Sequence, residues 1–358
     1  MENLQFSILS NDVRVIPEAV EKKVTGKDYI GYGEDNKFPQ YVWSLYLKSA
    51  VLQGIVNGTC DFVSGNGVVS NIPMNKVVND DGEEIEDIIR KLTVDYNIFG
   101  GFCFQVIKDF NGNFKELYWL DIQHIRLNED GDKAYYCEKW GQYGSKAVEY
   151  EVWDPKKNQL NFVVYYKGHI SRGLYPIPRY VGALAAIETS TEIGKFHLNN
   201  ILNNLSSSAI INFNNGEPSE EEKRRIESKL SEKFSGAGNA GKNMVVFNNN
   251  KESAVTVVRL SEDNFDKKFE TLAKSTKEEI FIAHRATPAL FGMKSEGNGF
   301  SKEEFLEAFE LYNKTVVRPI QNDIKRVFDK LFKMENSIVF NKFTLSDSDE
   351  NPNMSVTD

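Results

Sequence analysis

The stretch HRATPALFGMKSEGNGFSKEEF, from His284 to Phe305, decides how the rest of the chain is read. A charged helical pattern stops at Thr287-Pro288, since a proline disfavours helical backbone at the residue before it. A small apolar patch follows (Ala289, Leu290, Phe291), then the polar, glycine-bearing run Gly292 to Gly299. Ser301 with Glu304 three residues on reads as a capping box that opens another long helix. The pattern predicts helix, mobile connector, helix. Such a connector suits a catalytic lid, a phosphate cradle or a finger that touches something passing by.

Downstream, Phe305, Phe309, Tyr312, Val316, Ile320, Ile324, Phe328 and Leu331 recur at helical spacing. Pro319 falls inside this run, where a lost hydrogen bond and a ring clash predict a kink. After Phe340 the tail SDSDENPNMSVTD is acidic and polar, and it reads as disordered. Upstream, Ser261 starts a long helical pattern with Phe265, Phe269, Leu272 and Ile280 on one side, and Pro178 to Ser208 reads as its long partner. Between these two helices lies a compact insert. It holds a strand at Ala209 to Phe213, a helix capped by Ser219 and Glu222, a glycine turn, and strands at Met244 to Phe247 and Ala254 to Leu260.

The first half of the chain is mixed α and β. From Asp35 to Phe62 the reading is one helix with Trp43, Leu47, Ala50, Gly54, Gly58 and Phe62 along its apolar side, stopped by Ser64-Gly65-Asn66-Gly67. Glu83 to Phe99 is a second helix, with Ile85, Ile88, Ile89, Leu92 and Tyr96 on one face. Two apolar runs around Asn111-Gly112-Asn113 signal a hairpin. Further strands at Ala134 to Trp140, Val148 to Asp154 and Leu160 to Lys167, separated by turn residues, predict an antiparallel sheet and not βαβ repeats.

The totals and motifs exclude most chemistry. The 358 residues carry a formal charge of −9, which argues against a tight grip on DNA phosphates. Cys60, Cys103 and Cys137 are widely spaced and read as reduced core thiols of an intracellular protein, not as zinc ligands. No signal peptide or membrane-length apolar run is present. The histidines His124, His169, His197 and His284 fall in four different elements, with no metal-ligand spacing. The glycine clusters lack the context of a phosphate cradle and read as turns, and there is no GxSxG elbow. No metal, cofactor or catalytic residue is expected. A lid would have nothing to cover.

What remains is geometry: two long helices, each with one apolar stripe, flank a small α/β insert, an arrangement that neighbouring copies around a ring would cover. The chain resembles the portal proteins of tailed bacteriophages, the head-to-tail connector family. The resemblance is carried by YGEDNKFPQYVWSLYLKSAVLQGIVNGTCDFVSGNGV, DYNIFGGFCFQVI, LYWLDIQHIRL, SRGLYPIPRYVGAL, NNGEPSEEEKRRIESKLSEKFSGAGNAGKNMVV and KKFETLAKSTKEEIFIAHRATPALFG. These run in order from about Tyr32 to about Leu331.

The resemblance implies an α+β portal-like subunit. Residues 1–178 would be a mixed α/β wing, 179–208 and 261–291 two stem helices flanking the clip at 209–260, and 292–300 a tunnel loop. Residues 301–345 would be the kinked C-terminal wing helix and an end strand, and 346–358 the acidic tail. The chain is short for the family and lacks a long C-terminal helical run, so any crown is small or absent. The implied assembly is a homo-oligomeric ring, usually a dodecamer, in the virion at the capsid vertex after assembly in host cytoplasm. Its implied partners are the terminase large subunit, head-tail adaptor and capsid proteins, and double-stranded DNA held weakly and without sequence preference; no membrane is involved. DNA would be faced by Met293, Lys294, Ser295, Gly297, Asn298 and Gly299. The motor or adaptor would meet Glu217, Glu220, Lys223, Arg224, Glu227 and Lys242. A ring or scaffold protein without DNA in its bore is the alternative.

Overall fold

The computed structural model describes residues 15–202, 209–213, 219, 221–222, 224–225, 244–247, 256–259, 265–293 and 302–343. The chain divides into two compact units. The first joins everything up to Ala185 with everything from Ile280 onward. The second is the stretch Ala186–Glu279.

The centre of the first unit is strand β4 (Gly101–Lys108), flanked by β5 (Phe114–Leu120) and β9 (Asn161–Lys167), both antiparallel to it. The β4–β5 turn falls at Asp109–Asn113, as the Asn-Gly-Asn signal predicts. Asp109 secures it by accepting from the Asn111 and Asn113 amides at 2.8 Å each, and Gly112 has a φ of 86°. A second antiparallel sheet follows, β6 (Ile125–Leu127), β7 (Lys133–Tyr136) and β8 (Val148–Glu151).

Helix α3 (Ile85–Phe99) buries the expected face, and Ile88, Ile89 and Leu92 are each 0% exposed. It stops at Gly100, whose left-handed backbone (φ 81°) lets the chain turn straight into β4. On β4, Phe104 stacks on Phe328 of the C-terminal helix at 5.2 Å. That helix also presents Asp323 to the Tyr96 hydroxyl of α3 at 2.8 Å.

The single helix expected from Asp35 to Phe62 is two, α1 (Phe38–Lys48) and α2 (Ala50–Ser64). Ser49 breaks it. Its backbone is extended (φ −95°, ψ 107°), its amide closes α1 on the Leu45 carbonyl, and its Oγ accepts from the Leu52 amide to start α2. The break resets the helical phase. Val42 and Leu45, then Leu52, Ile55, Val56 and Val63, form the core, whereas Leu47, Ala50 and Gly54 of the expected stripe are exposed.

Arg126 is an interior cation that sequence reading passed over; it is 0% exposed. Its guanidinium donates to the carbonyls of Asn36, Gln123 and Ile125 at 2.7–3.0 Å. It also lies over the Trp140 ring, 5.1 Å from the centroid. Burial lowers its pKa to about 10, still well above neutrality.

In the second unit, helices α4 (Leu184–Leu202) and α5 (Phe265–Ala283), which each run on into the first unit, touch through a parallel stack of Phe196 on Phe269 at 4.6 Å. The unit also holds a three-stranded sheet of β10 (Ala209–Phe213), β11 (Met244–Phe247) and β12 (Thr256–Arg259). Strand β10 is central, parallel to β11 and antiparallel to β12. The expected cap is formed: the Ser219 amide donates to Glu222 at 3.2 Å, and the Glu222 amide donates to the Ser219 Oγ at 3.3 Å.

The last helical run is interrupted. Helix α6 (Lys302–Tyr312) passes into a π-helical turn at Asn313–Val317 and then into α7 (Arg318–Phe332). Pro319 is the second residue of α7, directly after the π-helical turn. The end strand β13 (Ile338–Phe340) pairs antiparallel with β3 (Val68–Ser70). The 1–14 segment, the Ser301 cap and the acidic tail lie outside the described residues.

Candidate functional site

The residues before and after the 294–301 segment are held on one helix. Helix α5 ends by a left-handed residue, Arg285 (φ 54°), with the Ala286 amide reaching back to the Phe281 carbonyl at 2.9 Å. Thr287 is extended (φ −91°, ψ 125°), as the following proline requires, and Pro288–Phe291 make one 3-10 turn. Gly292 caps this turn in the left-handed region (φ 78°), and the Met293 amide returns to the Pro288 carbonyl at 3.1 Å. The opening stretch therefore has a built stop before the segment begins.

An aromatic cluster anchors that stop. The Phe291 ring meets Phe281 at 6.0 Å, Phe62 at 6.1 Å and Tyr312 at 5.8 Å, in edge-to-face geometry. It lies against Gly58 of α2, where a Cβ would come within 2.8 Å of the ring. Beyond the segment, Phe309 and Tyr312 of α6 pack on the same Phe62, at 5.4 and 6.2 Å. The Thr59 Oγ donates to the Ile55 carbonyl at 2.6 Å, so its one proton is used. The Tyr312 hydroxyl, also at 2.6 Å, must then be the donor to Thr59. Both ends of the segment thus rest on Gly58, Thr59 and Phe62 of α2. Burial raises the Tyr312 pKa to about 12, so it stays a protonated donor.

His284 sits one turn before the stop. Its ring stacks on the buried Tyr180 at 4.6 Å and its Nδ1 donates to the Ile280 carbonyl at 2.8 Å. Its Nε2 is buried with no hydrogen-bond partner among the described residues. Burial lowers its pKa to about 4; the Arg179 charge pushes the same way and the Ile280 carbonyl opposes. The imidazole is neutral at pH 7.

Of the expected DNA-facing residues only Met293 is described; Lys294, Ser295, Gly297, Asn298 and Gly299 lie outside the described residues. Of the expected motor-contact set, Arg224 is helical and exposed. Glu217, Glu220, Lys223, Glu227 and Lys242 lie outside. Cys60, Cys103 and Cys137 are buried free thiols. Among the described residues no group of three or more His, Cys, Asp or Glu gathers where a metal could sit, and no helix is long and apolar enough to cross a membrane. Sequence reasoning missed Gly58, Thr59 and Phe62 as the seat of the segment. The usable signal was a small residue next to a hydroxyl in a helix otherwise lined by large apolar side chains.

Residues 65–356 match the sequence model of the family described as "Phage portal protein". Two uncharacterised proteins, from Rickettsia bellii (strain RML369-C) and Rickettsia felis (strain ATCC VR-1525 / URRWXCal2), are each 28% identical over 144 residues. That match covers 39% of this chain and spans only 36% of the length of those relatives. Among solved structures, a chain of the virion of a native gene transfer agent particle superposes with a TM-score of 0.55 at 15% identity, covering 88% of this chain and 86% of that chain. The neck of the native particle, computed with C12 symmetry, gives 0.55 at 14% identity over 88% and 86%. The crystal structure of a HK97 family phage portal protein from Corynebacterium diphtheriae gives 0.52 at 12% identity, over 80% of this chain and 89% of that chain. These similarities establish a shared fold, and the family match, which runs from the end of α2 past β13, settles membership: this chain belongs to the phage portal protein family.

Proposed function

We propose that the protein forms a ring at a capsid vertex, through which double-stranded DNA is packaged and ejected, and on which a terminase and head-tail adaptors dock. The carrying observation is the family match over residues 65–356. A ring of twelve copies is the proposed assembly, by analogy with the gene transfer agent neck of C12 symmetry. The protein would then reside in the virion, and its role is structural, with no reaction assigned to any side chain.

In this reading residues 1–178 and 301–345 are the wing, 179–208 and 261–291 are the stem, and 209–260 is the clip that meets the motor. The segment 292–300 is the tunnel loop, with Met293, Lys294, Ser295, Gly297, Asn298 and Gly299 toward DNA. Lys294 and Glu296 cancel, and the chain carries −9 overall. Weak charge suits a channel, because every fixed phosphate contact adds affinity and hence friction. The aromatic seat on α2 supports the same reading, since a segment that brushes moving DNA needs a base that does not follow it.

Cryo-electron microscopy of the purified chain, together with mass photometry at several salt concentrations, tests this. The expected result is a closed ring with an axial hole and with Gly292–Phe300 at its wall. A ring with that segment on the outer rim would defeat the loop assignment, and monomers or dimers under every condition would count against the assembly.

A further inference from the structure

The motif Ser64-Gly65-Asn66-Gly67 has a purpose beyond ending α2. It receives the C-terminal segment Asn341–Phe343. Gly65 has a φ of 55°, and a Cβ there would overlap the Asn341 carbonyl oxygen. The Asn341 amide donates to the Gly67 carbonyl at 3.0 Å, extending the β3–β13 pairing by one bond, and its side chain reaches the Asn66 carbonyl at 3.4 Å. Two residues on, the Phe343 ring meets Phe62 edge-on at 5.2 Å and Phe309 of α6 at 5.6 Å.

Phe343 therefore closes a three-ring contact whose other members are on α2 and α6. Apart from it, α6 rests on α2 through Phe309 and Tyr312 and on Phe291 through Tyr312, while Leu306 and Leu311 are 41% and 63% exposed. A helix held by so few buried side chains belongs to the easily opened part of a fold. Helix α7 is different: Ile320, Ile324 and Phe328 are each 0% exposed, and Gln321 bonds the Val63 carbonyl at 2.8 Å. The π-helical turn separates the two helices. Loss of Phe343 would thus act on α6 and leave α7 in place.

We propose that Asn341–Phe343 is a strap, seated in the Ser64–Gly67 turn, that clamps α6 onto α2, and that lifting it frees α6 alone. The inference extends the portal reading, in which α6 follows the channel segment, but the contacts that carry it are independent of that reading. Coupling is reciprocal: whatever draws the C-terminal segment off the turn loosens α6, and whatever displaces α6 loosens the strap.

Hydrogen exchange followed by mass spectrometry on the full chain tests it. Phe343→Ala is expected to speed amide exchange in Lys302–Tyr312 about tenfold, with Ile85–Phe99 and Arg318–Phe332 unchanged. Phe343→Leu, which keeps an apolar contact, should fall between Phe343→Ala and the parent. In a Phe309→Ala background, Phe343→Ala should add little further. Unchanged exchange in Lys302–Tyr312 would overturn the strap, and so would an equal rise in every helix, which would make Phe343 ordinary core. Because exchange is read without DNA or motor, the strap can fail while the ring stands, and the reverse.

Discussion

Gly58 lacks a side chain where Phe291 occupies the space a Cβ would need, at 2.8 Å from the ring. Gly58→Ala, although favourable for an isolated helix, should destabilise the protein by about 1–3 kcal/mol through overpacking, read by urea denaturation. Thr59→Val should cost about 1–2 kcal/mol, because it leaves the buried Tyr312 hydroxyl without its acceptor, and adding Tyr312→Phe should recover part of that loss. His284 gives a pH signature. Its folded pKa, about 4, lies below the ordinary 6.5, so on acidification the unfolded chain takes up a proton that the folded chain refuses. Stability should fall between pH 6.5 and pH 4, by up to about 3 kcal/mol from this residue, and level off below. His284→Phe, which keeps the stack on Tyr180, should flatten that part of the profile in denaturation measured from pH 8 to pH 4.5.

At the scale of elements, the interrupted C-terminal run carries a prediction of its own. Interior proline costs about 3 kcal/mol in a helix, so Pro319→Ala would stabilise a continuous kinked helix by a comparable amount. Where the π turn at Asn313–Val317 directly precedes Pro319 and takes up its ring, the expected change in thermal denaturation is within about 1 kcal/mol. A gain near 3 would show that the proline strains the run. Elements with strong local grammar were legible in the sequence. The face of α3, the hairpin at Asn111-Gly112-Asn113 and the Ser219–Glu222 box each depend on residues a few positions apart. The α1–α2 break was not legible, because Ser49 is compatible with a helix interior and only the shift in buried phase reveals it. Arg126 was hidden for a different reason. Three carbonyls, on Asn36, Gln123 and Ile125, make its burial tolerable, and no local pattern announces such a set. The seat of the 292–300 segment on α2 likewise joins residues more than 200 positions apart.

For the whole molecule, the proposed clip gives the sharpest test of partner docking. Reversing the charges of Lys223, Arg224 and Glu227 should impair binding of the terminase large subunit in a pull-down while leaving ring assembly intact by mass photometry. Retained binding would remove the clip assignment and leave the ring untouched.

The first unit is made from two stretches that are distant in sequence, Met1–Ala185 and Ile280–Asp358, with the second unit lying between them. On a ribosome, α3 and β4 emerge long before α7, yet Phe104 and Tyr96 wait for Phe328 and Asp323 to cover them. The nascent chain must carry that uncovered apolar surface through synthesis of the whole intervening unit. Non-local closure of this kind slows folding and exposes intermediates to aggregation. A message cut short before Ile280 would therefore yield a chain that chaperones hold or proteases clear, never a smaller version of the first unit.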